Sequence, residues 1–414
     1  MRDARATVKP MKNIRSPRHE VAARPFIVIW EITRACPLAC RHCRAEARPE
    51  RDPGELSTAE ACELMSQVAS FGSPPPLFVM TGGDPFQRPD LFELVRHGTR
   101  IGLPVAVSPS GTPTLTAENL AALKEAGARA ISLSLDGSNA AVHDDFRATE
   151  GVFRWTLDAW RAARDLGLKV QINTTVTGHN LTDLPQIVRL VHELGALSWS
   201  AFLLVPTGRG RLLPGLDAAQ VEDLLNFVYD AGDFVPSRTT EAHHFRRVII
   251  QRDILRDRGD DPVAVLGLGP LYESLHRELM DLGLPRRRVR RAPMDINSAR
   301  GFVFVSHRGS VHPSGFLPVG AGDVRDTPLP EIYRNSPLFT GLRDPDLLKG
   351  RCGACEFRVV CGGSRSRALA VSGDSYGEEP WCSYEPGSFP YQDALAAAGM
   401  VAPGRSAGTP VTGS

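Results

Sequence analysis

The sequence predicts an α/β protein: a partial (β/α)6 TIM-like barrel followed by a smaller C-terminal domain. From residue 26 to about 205, short β-branched runs alternate with amphipathic helical segments, which is typical of repeated βα units around a parallel sheet. From Phe302 onward the pattern changes to short strands and turns with closely spaced glycines, and a cysteine-rich segment follows. At 414 residues and 42% hydrophobic content, the chain is long enough for two or three domains with a sizeable core.

Six strands and seven helices are expected from these patterns. The strand candidates are 26–32, 77–81, 105–108, 130–135, 170–175 and 199–204. The helix candidates are 58–69, 89–99, 117–126, 152–166 and 184–194, with two more at 218–230 and 240–256. The first helix is opened by a Ser/Thr cap with an acidic residue three positions on. In such barrels the active residues gather where strands end and loops begin, so the candidates lie directly after each strand.

We expect five segments along the chain. They are a flexible leader at 1–25, the barrel at 26–215, a helical middle section at 216–300, the C-terminal domain at 301–386 and a disordered tail at 387–414. The leader is basic but has no apolar core of signal-peptide length. The tail is rich in Gly, Ala, Ser, Pro and Thr and has no sustained apolar period.

The charges of the chain nearly cancel. Lys and Arg number 48 and Asp and Glu number 47, so no global field favours nucleic acid or a membrane surface as a partner. The apolar runs are far shorter than the roughly 20 residues that a membrane span needs. We therefore expect a cytoplasmic protein that binds neither nucleic acid nor membrane.

Three cysteines, Cys36, Cys40 and Cys43, lie within eight residues just after the first predicted strand. Zinc prefers four closed ligands, usually in pairs of two-residue spacing, so this spacing fits an iron-sulfur cubane better. One iron would then lack a protein ligand and be open to chemistry. The alternative is a zinc knuckle or a set of buried structural thiols. Cys62 stands apart in a helical pattern and is expected to be a small buried hydrophobe.

A glycine-rich turn and several polar residues end the next strands. The run Gly82-Gly83-Asp84-Pro85 follows the second strand; it offers backbone free of side chains and a carboxylate that can meet a cation, although a simple turn is the alternative. Polar side chains at the ends of the third to fifth strands are Ser108, Ser110, Ser134, Asp136 and Asn173. Each of these is explained equally well as a helix cap or turn former.

A second group of thiols, in the last quarter of the chain, consists of Cys352, Cys355, Cys361 and Cys382. Four soft ligands suit either a zinc ribbon or an iron-sulfur cluster. We favour an iron-sulfur cluster, because the domain that carries the first cysteine group would need a partner for electron transfer.

The first cysteine motif, together with Gly82-Gly83-Asp84-Pro85, resembles the radical S-adenosylmethionine (radical SAM) enzymes. In that family the open iron of a 4Fe-4S cluster chelates the amino and carboxylate groups of S-adenosylmethionine. The resemblance implies cofactor contacts at the Gly-Gly-Asp-Pro segment and, by position at the strand ends, at Ser134 and Asn173. His42 stands where the family usually carries an aromatic ring, so it is expected to shield the cofactor.

The second cysteine group resembles the auxiliary-cluster domain called SPASM, or its shortened "twitch" form. Full SPASM domains have further cysteines, whereas the corresponding segments here contain Ser314 and Ser364, and serine is a poor iron ligand. We therefore expect one auxiliary 4Fe-4S cluster held by four cysteines, two clusters in all, and no open auxiliary iron for substrate.

Further stretches resemble the S-adenosylmethionine-dependent heme synthases of the alternative heme pathway and the related heme d1 maturation enzymes. These stretches are 43–47, 202–210, 241–247, 301–307 and 377–382. The resemblance implies a tetrapyrrole substrate, iron coproporphyrin III, whose propionates lose carbon dioxide after a 5'-deoxyadenosyl radical removes a β-hydrogen. Candidate partners of the carboxylates are Arg209, Arg211, Arg246 and Arg247, and His243 or His244 are candidates for the porphyrin iron. Solvated Arg and His side chains on helix surfaces are the alternative.

Two other classes of function remain open. A radical SAM maturase of a ribosomal peptide would share the clusters, but it usually has an added N-terminal recognition domain, and only about 25 residues precede the first strand. A non-enzymatic iron-sulfur or heme-binding protein would not need the Gly82 to Pro85 segment. If the chain is an enzyme, an electron donor such as ferredoxin or flavodoxin is expected.

Overall fold

The computed structural model describes residues 14–17, 19–287, 290 and 292–403. Ten strands form one sheet, and they are β1 Ile27–Thr33, β2 Leu77–Gly82, β3 Val105–Val107, β4 Ala130–Ser134, β5 Lys169–Val176, β6 Ser198–Leu203, β7 Ser237–Thr240, β8 Phe302–Val305, β9 Ser310–His312 and β10 Gly322–Asp323. Their order across the sheet is β10-β9-β8-β1-β2-β3-β4-β5-β6-β7. All six predicted strands are present, each within two residues of its expected ends.

The sheet extends beyond the six predicted strands at both edges. Strand β7 pairs parallel with β6, and β8 pairs parallel with β1, so that Val28 lies opposite both Phe78 and Val303. Within the described residues, the antiparallel pairs are β8–β9 and β9–β10. The sheet therefore continues across the predicted domain boundary at residue 301. Since β1 to β8 run in one direction, their carboxyl ends lie along one edge, where the loops of the site begin.

The helices cover the sheet in the expected alternation. They are α1 Thr58–Ala69, α2 Leu91–Arg100, α3 Ala117–Glu125, α4 Ala140–Arg147, α5 Val152–Asp165, α6 Leu184–Leu194, α7 Ala218–Ala231, α8 Phe245–Arg258, α9 Pro262–Leu266, α10 Pro270–Asp281, α11 Leu329–Asn335, α12 Pro337–Arg343, α13 Gly350–Ala354, α14 Arg365–Ser372 and α15 Gln392–Ala397. Helix α1 begins at a capping box, in which the Glu60 amide donates to Ser57 Oγ and the Ser57 amide donates to Glu60 Oε2. The prediction that a helix begins at Thr240 is wrong, because Thr240 ends β7 and α8 begins at Phe245.

A second, smaller apolar cluster lies beside the main core and corrects two predictions about the chain ends. Ile14 is buried there, so the predicted flexible leader is packed at this point; residues 1–13 and 18 lie outside the described residues. Phe389, Leu395 and Met400 are buried against Phe357, so the predicted disordered tail is wrong for 387–403. Burial of these side chains removes apolar surface from water, and this stabilises a segment whose sequence shows only a weak apolar periodicity. Residues 404–414 lie outside the described residues.

Within the described ranges, none of the helices combines the length and the apolar character needed to cross a lipid bilayer.

Candidate active site

The first cysteine loop follows β1 and places its three thiols together. Cys36 and Cys40 are buried, Cys43 is half-buried, and the three belong to one small cluster of contacting side chains. None is in a disulfide. Backbone amides point at two of the sulfurs: Leu38 N lies 3.4 Å from Cys36 Sγ, and Ala47 N lies 3.5 Å from Cys43 Sγ. This soft, buried donor set with amide hydrogen bonds fits an iron-sulfur cluster.

The loop after β2 lies directly against the cysteine loop because it contains two glycines. A Cβ atom at Gly82 would clash with the carbonyl oxygen of Thr33, and one at Gly83 would clash with that of Ala35. The close approach is fixed by two backbone hydrogen bonds, from Gly83 N to Thr33 O at 2.8 Å and from Asp84 N to Ala35 O at 2.7 Å. The Gly-Gly pair is thus required for packing. The predicted contact of this segment with a cofactor stays a prediction.

Asp84 is fully buried and ties two loops together. Its carboxylate accepts hydrogen bonds from the backbone amides of Phe86 and Ser110, both at 3.3 Å, and from Thr112 Oγ1 at 3.2 Å. Burial raises the pKa of the Asp84 carboxyl. Ser110 Oγ in turn donates to Gly83 O and lies 3.7 Å from Cys36 Sγ. Asp84 therefore positions the loops around Cys36 through neutral donors, and Pro85 begins the short turn that follows it.

Ser134 and Asn173 lie opposite each other in the register of β4 and β5, at the ends predicted to contact cofactor. Both side chains are half-buried, and Asn173 Oδ1 accepts a hydrogen bond from Gln171 Nε2 at 2.6 Å. Their role towards the cofactor stays a prediction.

Arg147 is a functional neighbour of the cysteine loop that sequence reasoning missed. It lies in α4, pairs with the fully buried Asp136 and places Nη1 3.7 Å from Cys40 Sγ. Asp136 Oδ1 also accepts the amide of Thr175 at 2.7 Å. The sequence contains one indication of this contact, because His143 and Arg147 follow Asp136-Gly137. A helix that begins with a capping residue accounts for the same stretch equally well.

The ring of His42 packs into an aromatic column. It stacks on Phe146 with centroids 4.6 Å apart and planes 8° apart, and Phe146 stacks on His179 at 5.5 Å. Burial lowers the pKa of His42 well below its ordinary value. The expected shielding of a cofactor by His42 stays a prediction.

Arg209, predicted to bind substrate, is bound to the cysteine loop. Its Nε donates to Cys40 O at 2.8 Å and its Nη1 donates to Ala47 O at 3.3 Å. The preceding Gly208 has a φ of +54° and lies so close that a Cβ atom would clash with Cys43 O. Within the described residues, two of its three guanidinium nitrogens are thus occupied by the loop.

The second cysteine group lines one cavity. Its walls include Cys352, Cys355, Cys361 and Cys382. Across the part of the chain that the structure describes, no three His, Cys, Asp or Glu side chains converge closely enough to hold a single metal ion. The thiols surround a space instead, which fits a multi-iron cluster. Burial raises the pKa of the Cys355 thiol to about 12, and a bound metal would act in the opposite direction by stabilising the thiolate.

The predicted substrate residues at the start of α8 lie beside this second cavity. Arg246 Nη1 donates to Val360 O at 2.7 Å and lies 3.6 Å from Asp295. Arg247 pairs with Glu222, and Arg247 and His244 both line the cavity. The sequence placed these residues near the barrel mouth, and α8 begins just after the carboxyl end of β7. Their role as substrate contacts stays a prediction.

Ser314 and Ser364, the serines at the expected positions of further cluster cysteines, bind the same carboxylate as their neighbour Ser366. Ser314 Oγ donates to Glu241 Oε1 at 2.9 Å, Ser366 Oγ donates to the same atom at 3.1 Å, and Ser364 Oγ donates to Glu241 Oε2. Glu241 is buried and has a φ of +54°. The expectation that these serines stand where a further cluster would need thiols stays a prediction.

Comparison with known proteins identifies the family. The model of the Radical SAM superfamily matches residues 30–191. The chain is 39% identical over 371 residues to the AdoMet-dependent heme synthase of Oleidesulfovibrio alaskensis, which covers 89% of each chain. The chain belongs to the radical SAM superfamily. It is also 40% identical over 364 residues to the AdoMet-dependent heme synthase of Nitratidesulfovibrio vulgaris, covering 87% of this chain and 92% of that relative.

A more distant relative and a solved structure also match the chain. The PqqA peptide cyclase of Rhodopseudomonas palustris is 29% identical over 375 residues, covering 87% of this chain and 88% of that relative. The solved structure of native anSMEcpe with bound AdoMet superposes with a TM-score of 0.60 at 15% identity, covering 91% of this chain and 99% of that chain. The latter likeness shows the fold alone.

As a radical SAM enzyme, the protein uses a 4Fe-4S cluster and S-adenosylmethionine (AdoMet). Cys36, Cys40 and Cys43 are the three thiols whose placement fits that cluster. The bound pair supplies a 5'-deoxyadenosyl radical. Residues of this chain position the loops around the three thiols. Asp84 holds the loop after β2, and the Arg147 guanidinium brings positive charge close to Cys40 Sγ.

Proposed function

We propose that this radical SAM enzyme converts propionate side chains of an iron-bound coproporphyrin III into vinyl groups, as a heme synthase. The observation that carries the proposal is the identity of about 40% to AdoMet-dependent heme synthases over nearly nine-tenths of both chains. The peptide cyclases match at 29% or less over a similar length, so the tetrapyrrole relatives are favoured over the peptide-modifying ones.

The proposed reaction balances on the substrate. Removal of one hydrogen atom from the β-carbon of a propionate leaves a carbon radical beside the carboxylated carbon. Loss of carbon dioxide and of one electron then forms the carbon–carbon double bond of the vinyl group. An oxidant must take that electron, and we assign the role to an auxiliary 4Fe-4S cluster held by Cys352, Cys355, Cys361 and Cys382.

The candidate ligands of the porphyrin iron were His243 and His244, and of these we propose His243. Its ring is half-buried, and Nδ1 is buried without a hydrogen-bond partner among the described residues. Arg209, Arg246 and Arg247 were candidates for the propionates, but each is already engaged by protein acceptors. Arg209 Nη2 has no partner within the described residues and is the nitrogen of that guanidinium still open to a propionate.

The reductant of the first cluster is proposed to be a small electron carrier such as ferredoxin or flavodoxin. A cytoplasmic location and the lack of a nucleic-acid partner stay predictions.

We expect reduced, reconstituted enzyme to convert AdoMet to 5'-deoxyadenosine and to decarboxylate iron coproporphyrin III, giving products lighter by one or two carboxyl groups. Mass spectrometry of the porphyrin and assay of carbon dioxide measure both. Cys40→Ser should abolish both activities, because a cluster ligand is lost, whereas Cys62→Ser is the matched control and should keep them. Enzyme that cleaves AdoMet yet neither binds nor decarboxylates the porphyrin would contradict the proposal and favour a peptide substrate.

A further inference from the structure

His244 is a buried polar side chain that the structure leaves without a partner. It is 1% exposed, lies just before α8 and lines the cavity of the second cysteine group. Both ring nitrogens are buried, and neither has a hydrogen-bond partner in the ranges that the structure describes. An imidazole always carries at least one N–H, and buried donors are almost always satisfied. The partner must therefore come from what the cavity holds.

The protein acceptors around the cavity are already occupied. Glu379 accepts from Arg367 Nη1 at 2.9 Å and from the amide of Ser364. Glu378 accepts from Arg351. The Tyr384 hydroxyl donates to Glu356 at 2.5 Å. The sulfur atoms of the cysteine group also line the cavity, but none accepts a hydrogen bond from His244 within the described residues, so an acceptor held between them is needed.

Other donors already converge on these sulfurs. Arg365 Nη2 lies 3.9 Å from Cys352 Sγ, and Arg247 Nη2 lies 4.0 Å from Cys382 Sγ. Two backbone amides, of Glu379 and Gly363, point at Cys352 Sγ and Cys361 Sγ from 3.3 and 3.4 Å. A site with this many donors is built for a group that carries negative charge on sulfur.

We propose that His244 donates a hydrogen bond to a sulfur of the auxiliary cluster and thereby raises the cluster's reduction potential. The inference rests on the auxiliary cluster named under the proposed function. An N–H donor stabilises the reduced cluster more than the oxidised one, because the reduced cluster carries one more negative charge. His244 thereby adjusts the reduction potential of the cluster, and Arg365 and Arg247 add positive charge around it.

The test compares His244→Phe, which keeps the ring volume and removes the donor, with His244→Gln, which keeps N–H donors. His276→Phe is the matched control, since His276 lies on α10, bonds Asp230 of α7 and does not line the cavity. Each full-length chain is reconstituted anaerobically, assayed for iron and titrated by electron paramagnetic resonance. Repeating the titration with Cys36, Cys40 and Cys43 replaced by Ala assigns the auxiliary signal.

We expect His244→Phe to keep its iron while the reduced-to-oxidised ratio of the auxiliary cluster, at the wild-type midpoint, falls about threefold to tenfold; tenfold corresponds to 59 mV for one electron. His244→Gln and His276→Phe should stay close to wild type. Full iron with an unchanged potential in His244→Phe would overturn this inference alone, as would loss of the auxiliary iron from both His244 variants. Wild-type protein with only the first cluster would overturn the auxiliary cluster and this inference together.

Discussion

Arg209 and Arg147 hold the first cysteine loop from two distant points of the chain. Arg209 donates to the carbonyl groups of Cys40 and Ala47; Cys40 O also accepts the amide of Cys43 at 3.3 Å. Arg147 lies beside Cys40 Sγ, and its own charge is balanced by buried Asp136. Both guanidinium groups add positive charge near thiolates, so the same contacts that shape the loop also favour a negatively charged cluster.

We predict that Arg209→Met weakens the hold of the first cluster. Hydrogen bonds from a charged group contribute about 1.5–3 kcal/mol, so loss of the two carbonyl bonds should speed iron release to a chelator roughly tenfold or more. The measurement is iron per chain during chelator challenge, together with the rate of 5'-deoxyadenosine formation. Arg211→Met is the control, because Arg211 lies in the same short 3-10 helix, Gly208–Leu212, and its side chain is exposed.

The same variant separates two roles of Arg209. Full iron and normal AdoMet cleavage, combined with weak porphyrin binding, would show that Arg209 is a substrate cation as the sequence suggested. Early loss of iron with unchanged porphyrin affinity would show that it supports the loop.

Helix α15 and the residues around it act as a cover on the C-terminal cysteine segment. Leu395 is fully buried, and its cluster includes Phe357, which lies between Cys355 and Cys361. Order in this short helix depends on tertiary packing, because six residues are far too few to form a stable helix alone. The segment therefore supports the second cysteine group from outside the cavity.

We predict that Leu395→Ala destabilises this segment by about 2–5 kcal/mol, the usual cost of cutting a buried leucine to alanine. Limited proteolysis followed by mass spectrometry should show earlier cleavage after residue 387, and the thermal midpoint should fall. Leu347→Ala is the control, since Leu347 is 47% exposed, and surface changes are usually within about 0.5 kcal/mol. Equal protease resistance of both variants would mean that α15 does not cover the cysteine segment.

Sequence patterns were sufficient for elements whose signals are local. Helices α1 and α6 begin and end where periodicity placed them, because caps and apolar spacing lie within a few residues. Strand β7 was missed, since four residues reading Ser-Arg-Thr-Thr carry no apolar alternation. The positions of Arg209 and His244 depend on contacts more than 100 residues away, and such contacts leave no local pattern.

In the whole molecule, the barrel and the C-terminal segment share one sheet and one charge network. Glu31, at the end of β1, accepts from Arg44 Nη2 and approaches His307 Nδ1, each at 2.9 Å. Arg44 follows Cys43 directly and lies 4.7 Å from the ring centroid of Phe304 in β8. The first cysteine loop is therefore anchored to the part of the chain that leads into the second cysteine group, so the two groups are expected to keep a fixed relation.

This arrangement predicts two independent clusters in one chain. Seven of the eight cysteines fall into the two groups, so reconstituted protein should hold about eight irons, four in each 4Fe-4S cluster. Replacing Cys36, Cys40 and Cys43 by Ala should leave about half of the iron, because the second cavity lies on other elements, and should end AdoMet cleavage. Replacing Cys352, Cys355, Cys361 and Cys382 should also leave about half but preserve some cleavage. A triple variant that kept all of its iron, or none, would contradict two separate sites.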